Sequence, residues 1–315
     1  MHQEYAVEPA AIGSSWETFR YLIEKFGFQE GRLISRFPKR WERQVLEAAK
    51  AAEVSDMAYA KIVEKLKNKK RTAIIKSGRA YGSGLDAWVA NARVAHAVKP
   101  FHAIIVQDDH DDDLLVTPQN LDEKHPLMLA PTTRNVSRTP QALADACLLL
   151  LCSAREVDIV DPYFDIQTAR FTDPLRTLLA LAYDSEKKDL FIRIHFLTNV
   201  KRRPTVEYVR QNVHQWVDNW VPDSFELHLY EWEELPDGED FHDRFMLCDC
   251  GGLTIGAGFS AEVEPQTTNV GLMDEKNVQE LRARFAPGAT VYRQSGPAIR
   301  VKSNGDAEYI DPIDQ

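Results

Sequence analysis

The chain has 315 residues, is 44% hydrophobic and carries a formal net charge of −10, so it can bury a sizeable core and is long enough for two domains. Glu4 and Glu8 interrupt the start of the chain and Leu148–Cys152 is too short to span a bilayer, so the sequence predicts neither a secretory signal nor a membrane protein. The 4 cysteines do not make a disulfide framework at this length, which favours a cytoplasmic protein with reduced thiols.

Residues 1–138 are predicted to form an accessory domain of unknown type, mainly helical and of the α+β class. Apolar spacing predicts helices over Ser15–Lys25, Arg40–Lys67 and Asp86–Val98 and a strand over Phe101–Val106. The first 100 residues hold 18 Lys+Arg against 11 Asp+Glu, whereas the rest of the chain is strongly acidic. A polyanion would therefore meet favourable charge only in the N-terminal region.

A basic cluster lies at the end of the second predicted helix. Cations at that end stabilise the helix dipole, so the cluster is explained either by helix stability or by contact with nucleic acid, and both interpretations stay open. The candidate nucleic-acid-binding residues are Lys65, Lys67, Lys69, Lys70 and Arg71.

Two loops of this half resemble ligand loops only superficially. Gly78, Gly82 and Gly84 lack the lysine and hydroxyl residue of a phosphate loop, so a flexible turn is predicted. The acidic run 108–113 lacks the turn glycine and final glutamate of a calcium loop. No metal site and no cofactor are predicted.

Residues 139–315 are predicted to form a layered α/β domain. Thr139-Pro140 begins a helix that runs to Ala154, because a capping hydroxyl followed by proline is typical of a helix start. Asp173-Pro174 is interpreted as the start of a second helix, and a third is predicted over Thr205–Trp220. The predicted strands are Val157–Val160, Leu190–Leu197 and Phe225–Trp232. This alternation of strands and helices is typical of α/β layers.

The most informative stretch follows the last of these strands. His242, Arg244 and Asp249 lie in one short segment, and six residues separate Asp249 from Gly256. If the segment is a strand, His242 and Arg244 share a face. A fixed cation neutralises phosphate oxygens while an adjacent imidazole serves as nucleophile or acid.

These residues resemble the H-x-K-x(4)-D-x(6)-G-S motif of the phospholipase D superfamily, in an H-x-R variant. Upstream, the run ending in Asp161-Pro162-Tyr163-Phe164-Asp165 resembles the first strand of the same superfamily. Arginine stands where the family has lysine. Ala257 replaces the motif serine, and the nearest hydroxyl is that of Ser260.

The resemblance implies a phospholipase D-like fold for the C-terminal domain, with His242 as nucleophile, Arg244 as the cation and Asp249 as the motif aspartate. Further phosphate contacts are expected from Ser260 and from a basic loop at the end of the preceding strand. That loop contains Lys201, Arg202 and Arg203. A solvated charge cluster explains the loop equally well.

The family mechanism uses two histidines, and none of the other eight histidines here has a Lys or Arg two residues later followed by the motif aspartate. The resemblance therefore implies a homodimer, cleaving DNA or RNA without metal through a phosphohistidine. Such relatives serve in restriction or phage defence, which implies other defence-system subunits as partners. The alternative is an inactive phospholipase D-like module that binds phosphate groups on nucleic acid or lipid, or acts as a scaffold.

Cys248 and Cys250 flank Asp249 in this stretch. Paired zinc-binding cysteines usually have two to four intervening residues, and no second pair accompanies these two. Core-facing strand cysteines are the prediction.

Overall fold

A computed structural model of the protein describes residues 1–82, 87–110, 112–122, 124–185, 187, 189–198, 205–217, 219–286 and 288–310. The chain divides into two compact units, His2–Thr132 and Thr133–Gln315, and Met1 belongs with the second. The division lies ahead of the expected one after residue 138, because Thr133–Ser137 pairs with a strand of the C-terminal sheet.

The N-terminal unit is built on a parallel sheet. Its strands within the described residues are β1 (Gln3–Val7), β2 (Arg32–Arg36), β3 (Ile74–Lys76), β4 (Ala103–Ile105) and β5 (Leu115–Val116), in the order β3-β2-β1-β4-β5. Its helices are α1 (Pro9–Gly13), α2 (Trp16–Glu24), α3 (Trp41–Ala51), α4 (Asp56–Lys69) and α5 (Trp88–Val98), with a short 3₁₀ turn at Pro126–Met128. Every strand pair in this sheet is parallel.

This arrangement corrects the α+β prediction for the N-terminal domain, which is α/β. Side chains of β1 alternate between two cores: Tyr5 and Val7 pack with α1–α4, and Ala6 packs with α5. Helices therefore cover both faces of the sheet. Strands β1 and β2 were not predicted, because each is short and contains charged residues. Glu4 lies within β1 and Arg36 lies at the end of β2.

Local capping explains the helix boundaries. The Ser15 hydroxyl accepts a hydrogen bond from the Thr18 N–H at 3.1 Å and begins α2, as predicted. The single helix predicted over Arg40–Lys67 is wrong, because the chain turns at Glu53, whose φ is 53°. Ser55 then caps α4 through the Ala58 N–H.

The C-terminal unit contains one large mixed sheet. Its strands among the described residues are β6 (Thr133–Ser137), β7 (Glu156–Val160), β8 (Leu190–Leu197), β9 (Phe225–Glu234), β10 (Phe245–Cys248), β11 (Gly252–Ile255), β12 (Thr267–Leu272), β13 (Tyr292–Gln294), β14 (Ala298–Val301) and β15 (Ala307–Ile310). The order is β15-β14-β9-β8-β7-β10-β11-β12-β6, with β13 also pairing β9. Strands β7, β8 and β9 are parallel to one another. The α/β class predicted for this domain is confirmed.

The helices of this unit are α6 (Pro140–Ser153), α7 (Ala169–Asp184), α8 (Val206–Asn212) and α9 (Glu275–Ala283), with a 3₁₀ turn at Val213–Gln215. Thr139 caps α6 by accepting a hydrogen bond from the Ala142 N–H, as predicted. The third predicted helix is shorter than expected. Among the described residues, no helix is long and apolar enough to cross a membrane.

The prediction that Asp173-Pro174 begins α7 is wrong. The helix begins at Ala169, so Pro174 lies inside it. Proline has no N–H, so the carbonyl of Arg170, four residues earlier, does not receive the usual helical bond. That carbonyl instead accepts a hydrogen bond from the Ala261 N–H at 2.6 Å. The helix is thereby bonded to the loop that follows β11.

Candidate functional site

Arg244 and Gly256 of the predicted motif lie where the parallel strands of the C-terminal unit end. Strand β10 runs antiparallel to β7 and pairs Phe245 with Val160, so the residues before β10 face those after β7. Strand β11 ends beside the same place, since the Ile255 N–H donates to the Arg244 carbonyl at 3.0 Å. Ligands of α/β sheets bind outside the carboxyl ends of strands. The sheet thus brings Asp161, Arg244 and Gly256 together at such an edge.

Arg244 is held by three neighbours. Its Nη1 donates to the Gly256 carbonyl at 2.9 Å, its Nε lies 4.0 Å from Asp161 Oδ1, and its guanidinium carbon lies 5.0 Å from the centre of the Tyr163 ring. The side chain remains 27% exposed. A guanidinium with several donors, fixed in position and partly open to solvent, is suited to bind a phosphate.

His242 and Arg244 both lie in the segment before β10 and not within a strand, which corrects the prediction that they share one short strand. The His242 side chain is 67% exposed, and its Nδ1 lies 3.7 Å from Asp243 Oδ1. The imidazole is therefore accessible to a ligand, two residues from the fixed guanidinium.

Gly258 lets the loop after β11 close onto this site. Its φ is +77°, and a Cβ at this position would lie 2.2 Å from Asp161 Oδ2 and 2.8 Å from Arg244 Cδ. Neither the backbone angle nor the space admits a side chain. The close approach of backbone to Asp161 and Arg244 thus depends on glycine.

Gly258→Ala is expected to destabilise the C-terminal unit by about 1–3 kcal/mol, because a non-glycine residue at this φ is strained and its Cβ displaces two buried or fixed groups. Urea unfolding measures the change. Gly256→Ala is the matched control, since its Cβ would meet no atom closer than 3.5 Å. Equal losses in the two variants would contradict the steric argument.

The structure assigns Ser260 a structural role and not the predicted phosphate contact. Its side chain is buried, its hydroxyl donates to the Ala257 carbonyl at 3.1 Å, and it accepts from Arg138 Nη2 at 2.6 Å. Arg138 Nε also donates to the Ser260 carbonyl. The hydroxyl is therefore used within the protein.

Asp249 is not brought to the site. It follows β10 whereas His242 precedes it, so the length of this four-residue strand, roughly 13 Å, separates them. One carboxylate oxygen of Asp249 accepts the Arg155 N–H at 2.9 Å, which ties this turn to the start of β7. Cys248 and Cys250 are buried, as predicted, and burial raises the pKa of the Cys248 thiol.

Lys201, Arg202 and Arg203 lie outside the described residues.

In the N-terminal unit, part of the basic cluster makes contacts within the protein. Lys65 forms an ion pair with Glu24 at 3.1 Å, and Lys69 donates a hydrogen bond to the Phe26 carbonyl at 3.0 Å. Lys67, Lys70 and Arg71 are exposed. Lys65 and Lys69 thus contact other parts of this unit, whereas the helix-stability interpretation applies to Lys67 and Lys69, which lie in the last turn of α4. A cavity of about 720 Å³ in this unit is lined by Trp16, Arg20, Tyr21 and Glu24, among others, and contains none of the predicted residues.

A buried polar network was missed by sequence reasoning. Asp158 on β7 and Arg193 on β8 are paired in register, and His195 on β8 points to the same face. Asp158 bonds His195 Nε2 at 3.0 Å, Arg193 Nη2 at 3.1 Å and Arg282 Nε at 2.8 Å. The sequence showed only that Asp158 lies in a β-branched run and that Arg193 and His195 alternate with apolar residues in a buried strand. This pattern could not show that these side chains contact one another.

The network fixes His195 as one neutral tautomer. The Trp232 indole N–H, which can only donate, lies 3.0 Å from His195 Nδ1, so Nδ1 accepts and Nε2 carries the proton donated to Asp158. Burial lowers the pKa of His195, and this outweighs the opposite effect of the Asp158 carboxylate. Burial opposes ionisation of Asp158, but hydrogen bonds from His195 and Arg193 outweigh it and lower its pKa.

Acid is expected to destabilise both units. Burial lowers the pKa of His2, in the N-terminal unit, to about 3, and it also lowers that of His195. Unfolded histidine takes up its proton near pH 6.5, so unfolding becomes easier as pH falls below about 6.5. Each buried histidine contributes up to about 1.4 kcal/mol per pH unit. Urea unfolding between pH 7 and 5 measures this slope, and a constant free energy of unfolding would contradict the prediction.

Comparison with known proteins adds little to this geometry. No family model and no curated protein matches the chain. A solved structure similar to it is that of TrmBL2, an archaeal chromatin protein described as showing a novel mode of DNA binding. The two share 13% identity, the match covers 76% of this chain and 83% of that chain, and the TM-score is 0.25. A similarity of this size carries no inference about fold or function.

Among the described residues, no group of three or more His, Cys, Asp or Glu is arranged to hold a metal ion.

Proposed function

We propose that the protein is a metal-independent phosphodiesterase that cleaves DNA or RNA through a phosphohistidine. The observation that supports this most directly is an exposed imidazole, His242, two residues from a guanidinium, Arg244, that is held by Gly256 and Tyr163. The cation would bind the phosphate oxygens and the imidazole would attack phosphorus. The site lies at a strand-end edge, where α/β sheets bind ligands.

In the first step, Nε2 of His242 attacks phosphorus, a P–N bond forms and the P–O bond to the leaving group breaks. The leaving oxygen must take a proton, and a second protonated imidazole would supply it. In the second step that imidazole, now neutral, takes a proton from water; the resulting hydroxide attacks phosphorus and the P–N bond breaks. Arg244 neutralises the oxygen charge in both steps.

The second imidazole is proposed to be His242 of the partner subunit. The chain has a single H-x-R-x(4)-D sequence, so a two-fold dimer would bring two copies of the motif to one centre. A role in phage defence and association with other defence-system subunits are proposed on the resemblance alone.

The test is cleavage of single-stranded and duplex oligonucleotides by purified protein in EDTA, with light scattering to measure mass. Mixing wild-type with excess His242→Ala subunits is expected to suppress activity in the heterodimers. Absence of cleavage in EDTA would contradict the proposed chemistry. Full activity from a monomer would contradict only the shared centre.

A second candidate function is an inactive module that binds phosphate groups. Two observations favour it: Ala257 stands where the family motif has serine, and the next hydroxyl along the chain, that of Ser260, is already bonded to Ala257 and Arg138. Phosphate binding by Arg244 without turnover would support this function.

If the basic cluster binds nucleic acid, the exposed Lys67 and Lys70 should dominate the salt dependence. Replacing both with Ala is expected to flatten the slope of log K against log salt by up to about 1.8 on duplex and about 1.4 on single strands. The charge-matched control replaces Lys276 and Lys302, which are exposed in the other unit. Equal slopes for the two double variants would assign Lys67 and Lys70 to solubility.

A further inference from the structure

Tyr163 lies on a firmly anchored turn beside the candidate site. Its N–H donates to Asp161 Oδ1 at 3.0 Å, and the next N–H, that of Phe164, donates to the Asp161 carbonyl at 3.0 Å. The Phe164 ring is buried against Phe171 and Phe196. Tyr163 nevertheless remains 46% exposed. The turn therefore holds an aromatic ring at the surface in a fixed position.

The ring lies next to the cation that would bind phosphate. The Arg244 guanidinium carbon is 5.0 Å from the ring centre, a cation–π distance, so Arg244 occupies one face of the ring. The exposed part of the side chain leaves aromatic surface open to solvent on the same edge of the sheet. A nucleotide whose phosphate contacts Arg244 would place its base near this surface.

We propose that Tyr163 is a stacking site for an unpaired nucleobase, which makes single-stranded nucleic acid the substrate class. The proposal rests on the phosphate site at Arg244 proposed above. Every base has a π-face, so an exposed ring beside a cationic phosphate site binds single strands with little sequence preference. In a duplex these faces are covered by neighbouring bases, so duplex substrates would lose this contact.

The test measures binding in EDTA by fluorescence anisotropy, with a single-stranded oligonucleotide and an abasic strand of the same length and charge. Wild-type protein, Tyr163→Phe, Tyr163→Leu and Tyr163→Ala are compared. Tyr163→Ala is expected to weaken binding of the base-containing strand about 5- to 150-fold, the usual effect of losing one stacked base. Binding of the abasic strand should change little, and Tyr163→Phe should behave as wild type.

Tyr163→Leu keeps an apolar side chain against Arg244, so it separates stacking from simple support of the guanidinium. The stacking proposal would be overturned if Tyr163→Ala and Tyr163→Leu weakened binding of the base-containing and abasic strands equally. It would also be overturned if neither variant weakened binding. Cleavage assays on the same samples separate the two proposals. Tyr163-dependent binding of bases without cleavage supports stacking and contradicts the phosphodiesterase, whereas cleavage without that dependence contradicts stacking alone.

Discussion

His242→Ala is expected to lower the rate of phosphodiester cleavage in EDTA by at least about 10²- to 10⁴-fold, because it removes the imidazole proposed as nucleophile and as proton donor. The free energy of unfolding should change little, since the His242 side chain is 67% exposed and buries little surface. Single-turnover cleavage of a labelled oligonucleotide measures the rate, and urea unfolding measures the stability.

His110→Ala is the control for this experiment, because His110 is exposed and lies in the N-terminal unit. It should cleave at the wild-type rate. If His242→Ala cleaved as fast as wild type in chelator, the assignment of the site would be wrong. If both histidine variants lost activity together, the loss would reflect a change unrelated to the imidazole at 242.

Asp158→Asn is expected to destabilise the C-terminal unit by about 3–5 kcal/mol, because removal of one charge from a buried network leaves its partners uncompensated. The Asp158 carboxylate receives hydrogen bonds from Arg193, His195 and Arg282, and its residue is 3% exposed. The carboxamide keeps the shape but replaces an acceptor oxygen with a donor. Urea unfolding followed by circular dichroism measures the loss.

Glu156→Gln is the matched control. Glu156 Oε2 contacts the same two arginines, Arg193 and Arg282, each at 3.0 Å, but its side chain is 47% exposed. Exposed ion pairs contribute about 0–1 kcal/mol. The two carboxylates differ in burial and in the hydrogen bond that His195 makes with Asp158 alone. Equal losses in Asp158→Asn and Glu156→Gln would show that burial does not set the strength of this network.

The sequence predicted best where a long apolar run has one dominant period. Strand β8 has the predicted bounds, Leu190–Leu197, because a run of this length with flanking polar residues fits a buried strand. Strands β1–β3 were not predicted, since they are three to five residues long and gain their identity from pairing with distant strands. Short parallel strands carry too little local pattern to be distinguished from loops.

The site was predicted in part for a related reason. Spacing along the chain placed His242 near Arg244. It could not show that Asp249 lies beyond the far end of β10, or that the Ser260 hydroxyl already accepts a hydrogen bond from Arg138. Those outcomes depend on contacts such as that between residues 138 and 260, far apart in the sequence. The sequence indicated Tyr163 only as part of the run from Asp161 to Asp165, because its exposure follows from how Phe164 anchors the turn.

The proline inside α7 has a consequence for how the chain tolerates change. A residue with an N–H at position 174 would offer the Arg170 carbonyl a second donor, in competition with Ala261. Ala261 directly follows the segment that carries Gly258 and Ser260. A helix-favouring substitution at position 174 could therefore strengthen α7 while loosening the loop beside Arg244. At position 174, proline destabilises the helix but leaves the Arg170 carbonyl free to bind the loop. Helix propensity alone would therefore give the wrong sign for the effect of a substitution at this position on the loop.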